Sequence, residues 1–125
     1  MNHILAVTKA LSDRNRLRTF MALLQEGELC VCEITELLRV TAPTVSRHMT
    51  ILAASGLVTS RKEGRWVYYR PCEEALKCSD NQVVEWLQAG LAKDPEITSD
   101  RKRLRIIIQE NRRSSSCKTG ETDHA

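Results

Sequence analysis

The chain has 125 residues, 42% of them apolar, with 19 Lys and Arg against 16 Asp and Glu for a net charge of +3. That length fits one domain, the composition is that of an ordinary soluble globular protein, and no apolar run is long enough to cross a bilayer. The mild positive charge leaves nucleic-acid binding open, because the clustering of bases matters more than their sum.

Met1-Asn2-His3-Ile4 lacks the charged and apolar regions of a secretory signal, so the expected compartment is the cytoplasm. Five cysteines cannot all pair with one another, and in a reducing compartment cysteines more often bind metal or react than staple a fold.

Ile4, Val7, Ala10 and Leu11 fall at helical spacing, and Ser12 and Asp13 are N-cap types that restart the pattern. Leu17, Phe20, Met21, Leu23 and Leu24 then form the stripe of a second helix, stopped by Gly27. Two cysteines follow in Glu28-Leu29-Cys30-Val31-Cys32-Glu33. Ile34, Leu37 and Leu38 predict a short helix ending near Arg39-Val40. Thr41 as a cap and Pro43 in a first turn open the next helix. From Thr44 to Ala54, Val45, Met49 and Leu52 share one face, while Thr44, Ser46, Arg47 and Thr50 project elsewhere. Two short helices joined by a tight turn, the second polar on its outer face, make a helix-turn-helix.

The period then alternates. Residues 57–61 and 65–70 read as two strands linked by Lys62-Glu63-Gly64, and a hairpin directly after a recognition helix is a wing. Val83, Val84, Leu87 and Leu91 restore helical spacing over 81–91, until Asp94-Pro95 breaks it. Ser99 and Asp100 are candidate caps for one more helix, running to about Glu110. Leu104, Ile107 and Ile108 lie on one side of it and Arg101, Lys102, Arg103 and Arg105 on the other. From Arg112 onward the chain is rich in Ser, Thr and charge and reads as disordered. The expected architecture is mainly α with a β-hairpin wing, a homodimeric winged helix-turn-helix in which a small domain gains core by pairing. Residues 1–95 form the winged-helix DNA-binding and dimerisation domain, 96–111 a C-terminal helical extension and 112–125 a disordered tail.

Thiolate sulfur is a soft ligand, so Cys30 and Cys32 select trivalent arsenic or antimony, cadmium, lead or mercury. Residues i and i+2 lie about 200° apart around a helix and cannot both reach one ion from it, whereas on an extended segment they share a side. Shared capture therefore calls for non-helical backbone or a distorted first turn, passed to the recognition helix through Ile34, Leu37 and Leu38. The plainer alternatives are small buried cysteines or a structural zinc site. The latter wants four ligands, and two partners are not apparent nearby.

Residues near the start of a recognition helix meet base edges, which singles out Thr44, Ser46 and Arg47. Arg47 suits either a guanine or a phosphate. His48, in the same helix, is a candidate for contacting DNA or for packing. Arg61, Lys62 and Arg65 on the wing suit phosphates or the minor groove. With no thioredoxin-like strand–helix context and no His/Asp constellation, the chain does not read as an enzyme, and it requires no cofactor.

Four runs carry a family resemblance. They are Ala10-Leu11-Ser12-Asp13-Arg14-Asn15-Arg16-Leu17, Glu28-Leu29-Cys30-Val31-Cys32-Glu33, Pro43-Thr44-Val45-Ser46-Arg47-His48-Met49 and Arg61-Lys62-Glu63-Gly64-Arg65-Trp66-Val67-Tyr68-Tyr69-Arg70. Together the chain resembles the ArsR/SmtB family of winged-helix metalloregulatory repressors, in its arsenic-responsive branch, over roughly residues 4 to 92. The resemblance implies a homodimer joined through the first helix and the post-wing helix. It implies a repressor that leaves double-stranded operator DNA, an imperfect palindrome, when As(III) or Sb(III) binds Cys30 and Cys32. The alternative keeps the DNA-binding dimer and makes the thiols answer to cadmium, lead or oxidation. No membrane partner is expected.

In that branch a third cysteine often follows three residues after the second, where this chain has Thr35. The third ligand is then Cys72, Cys78, Cys117, a small external thiol or water, with Cys117 in the tail favoured. A zinc-type site of the same family would use histidine on the post-wing helix, and residues 81–92 contain none.

Overall fold

The computed structural model describes residues 1–74 and 80–114, so Cys78, and Cys117 with the rest of the tail from 115, lie outside the described residues. Helices α1 (Asn2–Leu11) and α2 (Arg14–Glu26) are divided by Asp13. The Asp13 carboxylate accepts from the N–H groups of Asn15 and Arg16 at 2.9 and 3.1 Å, satisfying donors that have no partner within the helix. Gly27 ends α2 at φ 86, in a conformation open to glycine, and its N–H donates to Leu23 O at 2.7 Å.

Strand β1 (Leu29–Cys30) leads directly into α3 (Val31–Leu38). Arg39 closes α3 in the left-handed region, at φ 58 and ψ 43, and makes the helix-turn-helix turn. Thr41 stands at the N-cap of α4 (Ala42–Ala54), but its hydroxyl bonds the Thr44 hydroxyl at 3.0 Å instead of capping the helix backbone.

The wing consists of β2 (Val58–Glu63) and β3 (Trp66–Pro71), antiparallel and paired from Val58↔Pro71 to Glu63↔Trp66. Its loop is therefore Gly64-Arg65, not Lys62-Glu63-Gly64, and Lys62 lies within β2. Gly64 at φ 63 holds the first loop position, where a two-residue hairpin of type II′ favours glycine. The wing also has a third strand that the alternation did not reveal. β1 lies on the other edge of β3, in the order β1-β3-β2, with Leu29↔Tyr69 and Cys30↔Tyr68 in register. A two-residue strand is too short to carry a periodic signal.

The post-wing helix α5 spans Asp80–Gly90, and α6 spans Pro95–Ser114. α6 begins earlier than Ser99, because the Asp94 carboxylate accepts from Glu96 N and Ile97 N at 3.1 Å each, with Pro95 opening the helix. It also runs past residue 111, so the first residues assigned to a disordered tail are helical. Asp100 is a buried ion-pair partner instead of a cap, receiving Arg18 Nε at 2.8 Å and Nη2 at 2.9 Å.

One apolar cluster joins all the helices around Phe20, Leu23, Ile34, Leu37, Val45, Met49, Leu52 and Leu104. α6 runs antiparallel along α3. Its Arg103 donates to Leu37 O and Glu36 O at 2.9 and 3.2 Å near the end of α3, and its Asn111 reaches the start. Among the described residues no helix is long and apolar enough to cross a membrane.

Candidate thiol sensor and nucleic-acid interface

Cys30 is the N-cap of α3, with extended backbone at φ −84 and ψ 161, and Cys32 is the second residue of that helix. The change from strand to helix falls between them. It brings the two sulfurs together as a pair, with Cα atoms 5.4 Å apart, while the first helical turn stays intact. Of the two arrangements that the i, i+2 spacing left open, the structure has the non-helical backbone: Cys30 stands outside the helix, and the first turn needs no distortion. Glu33 secures this start, its carboxylate accepting from Cys30 N–H at 2.9 Å. Cys30 and Tyr68 are buried together, with Cys32 and Trp66 packed against them.

The site is tied to two other parts of the fold. Asn111 of α6 donates to Glu33 Oε2 at 3.1 Å and lies 3.9 Å from Cys32 Sγ. On the other side, Arg61 of β2 holds Glu28, two residues before Cys30, through Nε and Nη2 at 2.8 Å each. Arg61 also donates to Glu63 at 2.7 Å and stacks 4.4 Å over the Tyr68 ring. Hydrogen bonds to Glu28 and then Glu63 raise its pKa, against a smaller effect of desolvation.

Cys72 lies four residues beyond Tyr68, about 13 Å along the sheet at roughly 3.3 Å per residue, too far to share an ion with Cys30. Among the described residues no three His, Cys, Asp or Glu side chains cluster to hold a metal ion.

Ser46 and Arg47 are exposed on α4, and Thr44 is half-buried at its start. Lys62 and Arg65 are exposed on the wing. His48 is different: it is half-buried and turned toward α2, with Nδ1 3.3 Å from Arg16 Nη1. Arginine only donates, so Nδ1 is the acceptor in this contact.

Residues 7–60 match the family model for bacterial regulatory proteins of the arsR family. The chain is 36% identical over 113 residues to the arsenic resistance transcriptional regulator ArsR2 of Pseudomonas putida, covering 89% of this chain and 94% of that protein. The chain belongs to the ArsR family.

This ArsR-family chain is also 45% identical over 85 residues to the arsenic resistance transcriptional regulator ArsR1 of Pseudomonas putida, covering 68% of this chain. A cadmium resistance regulator, the CadC homolog of Staphylococcus aureus, is 40% identical over 79 residues, covering 63% of this chain. The chain spans 60% and 62% of the lengths of those two proteins.

Among solved structures, HlyU from Vibrio cholerae superposes with a TM-score of 0.63 at 26% identity, covering 74% of this chain and 95% of that one. The homodimeric winged helix-turn-helix DNA-binding domain Mb0332 from Mycobacterium bovis gives 0.57 at 28%, covering 74% and 86%. The protein is a winged-helix DNA-binding transcriptional regulator and not an enzyme.

Three features of the ArsR-family site were missing from the sequence reading: β1, the Arg61–Glu28 pair and the approach of Asn111. The charges at 28 and 61 are visible in the chain, but a partner 33 residues away leaves no local pattern. Asn111 lies just past Glu110, where the predicted helix ended, and only the docking of the longer α6 on α3 brings it to Cys32.

Proposed function

We propose that the protein is a homodimeric transcriptional repressor that binds double-stranded operator DNA, an imperfect palindrome, in the cytoplasm. It leaves that DNA when As(III) or Sb(III) is captured by the thiolates of Cys30 and Cys32. The observation that carries this reading is the meeting of the two sulfurs at the junction of the wing sheet and the helix-turn-helix. Two adjacent soft donors suit a thiophilic, trivalent centre, and an anchor shared by wing and helix lets capture act on both DNA-contacting parts at once. The arsenic-named relatives support the inducer class.

Cys117 supplies the third thiolate for inorganic arsenite. It lies three residues beyond the end of α6, a reach of up to about 10 Å from Ser114, and Asn111, one helical turn before that end, stands 3.9 Å from Cys32 Sγ. Ser46, Arg47 and Thr44 at the start of α4 read bases or hold phosphates, with Lys62 and Arg65 on backbone phosphates. His48 and Arg61 support this surface through Arg16 and Glu28. Dimerisation through α1 and α5 is supported by exposed Ile4, Leu5 and Trp86, large apolar side chains that a partner would cover.

A second reading, in which the same dimer responds to thiol oxidation, is favoured by the pairing of the two sulfurs with each other. A response to cadmium or lead is supported by the relative named for cadmium resistance. Operator binding by fluorescence anisotropy, titrated with arsenite, antimonite, cadmium and peroxide, separates these readings. Release by arsenite that disappears in Cys30→Ser and in Cys32→Ser is the expected result. An equal response in the wild type and both variants sinks the sensor assignment, and release by peroxide alone replaces it with the oxidation reading.

A further inference from the structure

The outer surface of α4 changes character along its length. Val45, Met49 and Leu52 are buried. At about 100° per residue, Arg47, Thr50, Ile51 and Ala54 then fall on the opposite side, within an arc of roughly 100°. All four are exposed. The first turns are polar, and Arg47 reaches back toward them, its Nη2 donating to Thr44 Oγ1 at 3.5 Å. Beyond Arg47 the surface turns apolar. The Thr50 hydroxyl donates to Ser46 O at 2.9 Å, which commits its proton to the helix backbone and leaves a methyl group and an acceptor. Ile51 is 40% exposed, and Ala53 and Ala54 beyond it are exposed too. Exposed Ile4, Leu5 and Trp86 lie on α1 and α5, the helices that dimerisation would cover, and Ile51 lies on neither.

A single exposed isoleucine is ordinary on a solvated helix, but this one shares its face with Arg47 on the helix that enters the major groove. Every base edge there offers hydrogen-bonding groups, and thymine alone adds an apolar one, its 5-methyl group. We propose that Ile51 is a specificity-determining residue that packs on the 5-methyl group of one thymine in each half-site, with the Thr50 methyl group beside it. The proposal rests on α4 being the DNA-reading helix and adds a base that it selects. Four residues carry Ile51 about 6 Å along α4 from Arg47, and bases follow one another at about 3.4 Å. The thymine therefore lies about two base pairs from the step at which Arg47 stands. Adenine, guanine or cytosine in its place sets a polar edge against Ile51, which displaces water from that edge without replacing its hydrogen bonds.

The test uses the reduced full-length chain and a duplex that it selects from a random-sequence pool. Each thymine of that duplex is replaced in turn, in both half-sites, by deoxyuridine, which lacks the 5-methyl group and keeps every hydrogen-bonding atom. Affinities are read by anisotropy at fixed salt. One such replacement is expected to weaken wild-type binding roughly fourfold for each methyl group, and so about fifteenfold for the symmetric pair. Ile51→Ala binds the thymine duplex less tightly and loses less than about twofold on the same replacement. Its urea midpoint stays that of the wild type, because the side chain is exposed. Selection from the pool with Ile51→Ala relaxes the preference for thymine at that position and leaves the other positions unchanged.

Wild-type binding that is indifferent to every deoxyuridine overturns the proposal, as does an equal loss in the wild type and in Ile51→Ala. A weaker dimer of Ile51→Ala in sedimentation, with unchanged sensitivity to deoxyuridine, also overturns it and assigns Ile51 to a contact between copies. Undiminished binding of the selected duplex by the Thr44→Ala, Ser46→Ala, Arg47→Ala triple variant overturns the reading of α4 beneath it. Loss of binding in that triple variant, with no effect of Ile51→Ala on the response to deoxyuridine, leaves that reading standing and removes only this inference.

Discussion

Arg61 grips Glu28 at two points, Nε to Oε2 and Nη2 to Oε1, both at 2.8 Å, and so joins the wing to the segment that carries Cys30. The same guanidinium bonds Glu63 and covers Tyr68, the residue opposite Cys30 in the sheet. A cation held by two carboxylates is poorly placed to neutralise a phosphate as well. In operator binding measured against salt, Lys62→Gln or Arg65→Gln is expected to lower the slope by about one ion per protomer, and Arg61→Gln to leave it unchanged. In the same assay Glu28→Gln and Arg61→Gln each reduce the affinity change caused by arsenite, and the double variant reduces it no further. A loss of slope of about one ion per protomer in Arg61→Gln would make Arg61 a phosphate contact instead.

The Arg18–Asp100 pair fastens α6 to α2 where both side chains are largely buried, 14% and 9% exposed. The Asp100 hydrogen bond is the main cause raising the Arg18 pKa, outweighing desolvation. Removing Asp100 leaves the largely buried Arg18 charge to the longer contact with Glu96 at 3.8 Å, so Asp100→Ala should cost about 3 kcal/mol in urea unfolding. Replacing both with apolar residues, as in Arg18→Met with Asp100→Leu, should recover most of that loss. A cost under about 1 kcal/mol for Asp100→Ala would mean that water reaches Arg18 readily.

The helix-turn-helix was legible because each of its signals is local. Asp13 and Gly27 bound α2, Pro43 falls in the first turn of α4, and Val45, Met49 and Leu52 line up at helical spacing. The cysteine pair was legible as chemistry but only partly as geometry. The spacing showed that one regular helix cannot present both sulfurs, yet it gave no sign that the strand-to-helix boundary falls between them. That boundary depends on Tyr68 and Tyr69 recruiting Leu29 and Cys30 into the sheet, a pairing across nearly 40 residues. The length of α6 was misread for a similar reason. Ser99 and Asp100 are both reasonable caps, and Asp94 takes the role because Asp100 is needed by Arg18, 82 residues earlier.

Arg39 holds φ 58 at the end of α3 and is exposed. A Cβ in the left-handed region costs roughly 1–2 kcal/mol, while glycine pays a smaller entropic penalty there. Arg39→Gly should therefore stabilise the fold by up to about 1 kcal/mol, read as a higher urea midpoint with an unchanged m-value. Operator affinity should change little, because the turn geometry is kept. A lower midpoint would show that the Arg39 side chain contributes more than its backbone costs.

Alkaline pH should weaken the fold through Tyr68 and Tyr69. Burial raises the phenol pKa of both, and at Tyr68 Glu63 adds to the rise while Arg61 opposes it. The folded state thus holds these protons to higher pH than the unfolded chain, whose tyrosines ionise at about 10. Below that pH both states are protonated and the stabilising effect is fully present. Above it the unfolded state binds fewer protons, so stability falls as pH rises through the folded values. Urea unfolding at a series of pH values from about 9 to 11 should show this decline. Tyr69→Phe should flatten it while keeping the aromatic packing, and tyrosinate absorbance should report ionisation of the folded wild type above the ordinary phenol value. The same decline in Tyr69→Phe and Tyr68→Phe as in the wild type would assign it to lysines and thiols instead.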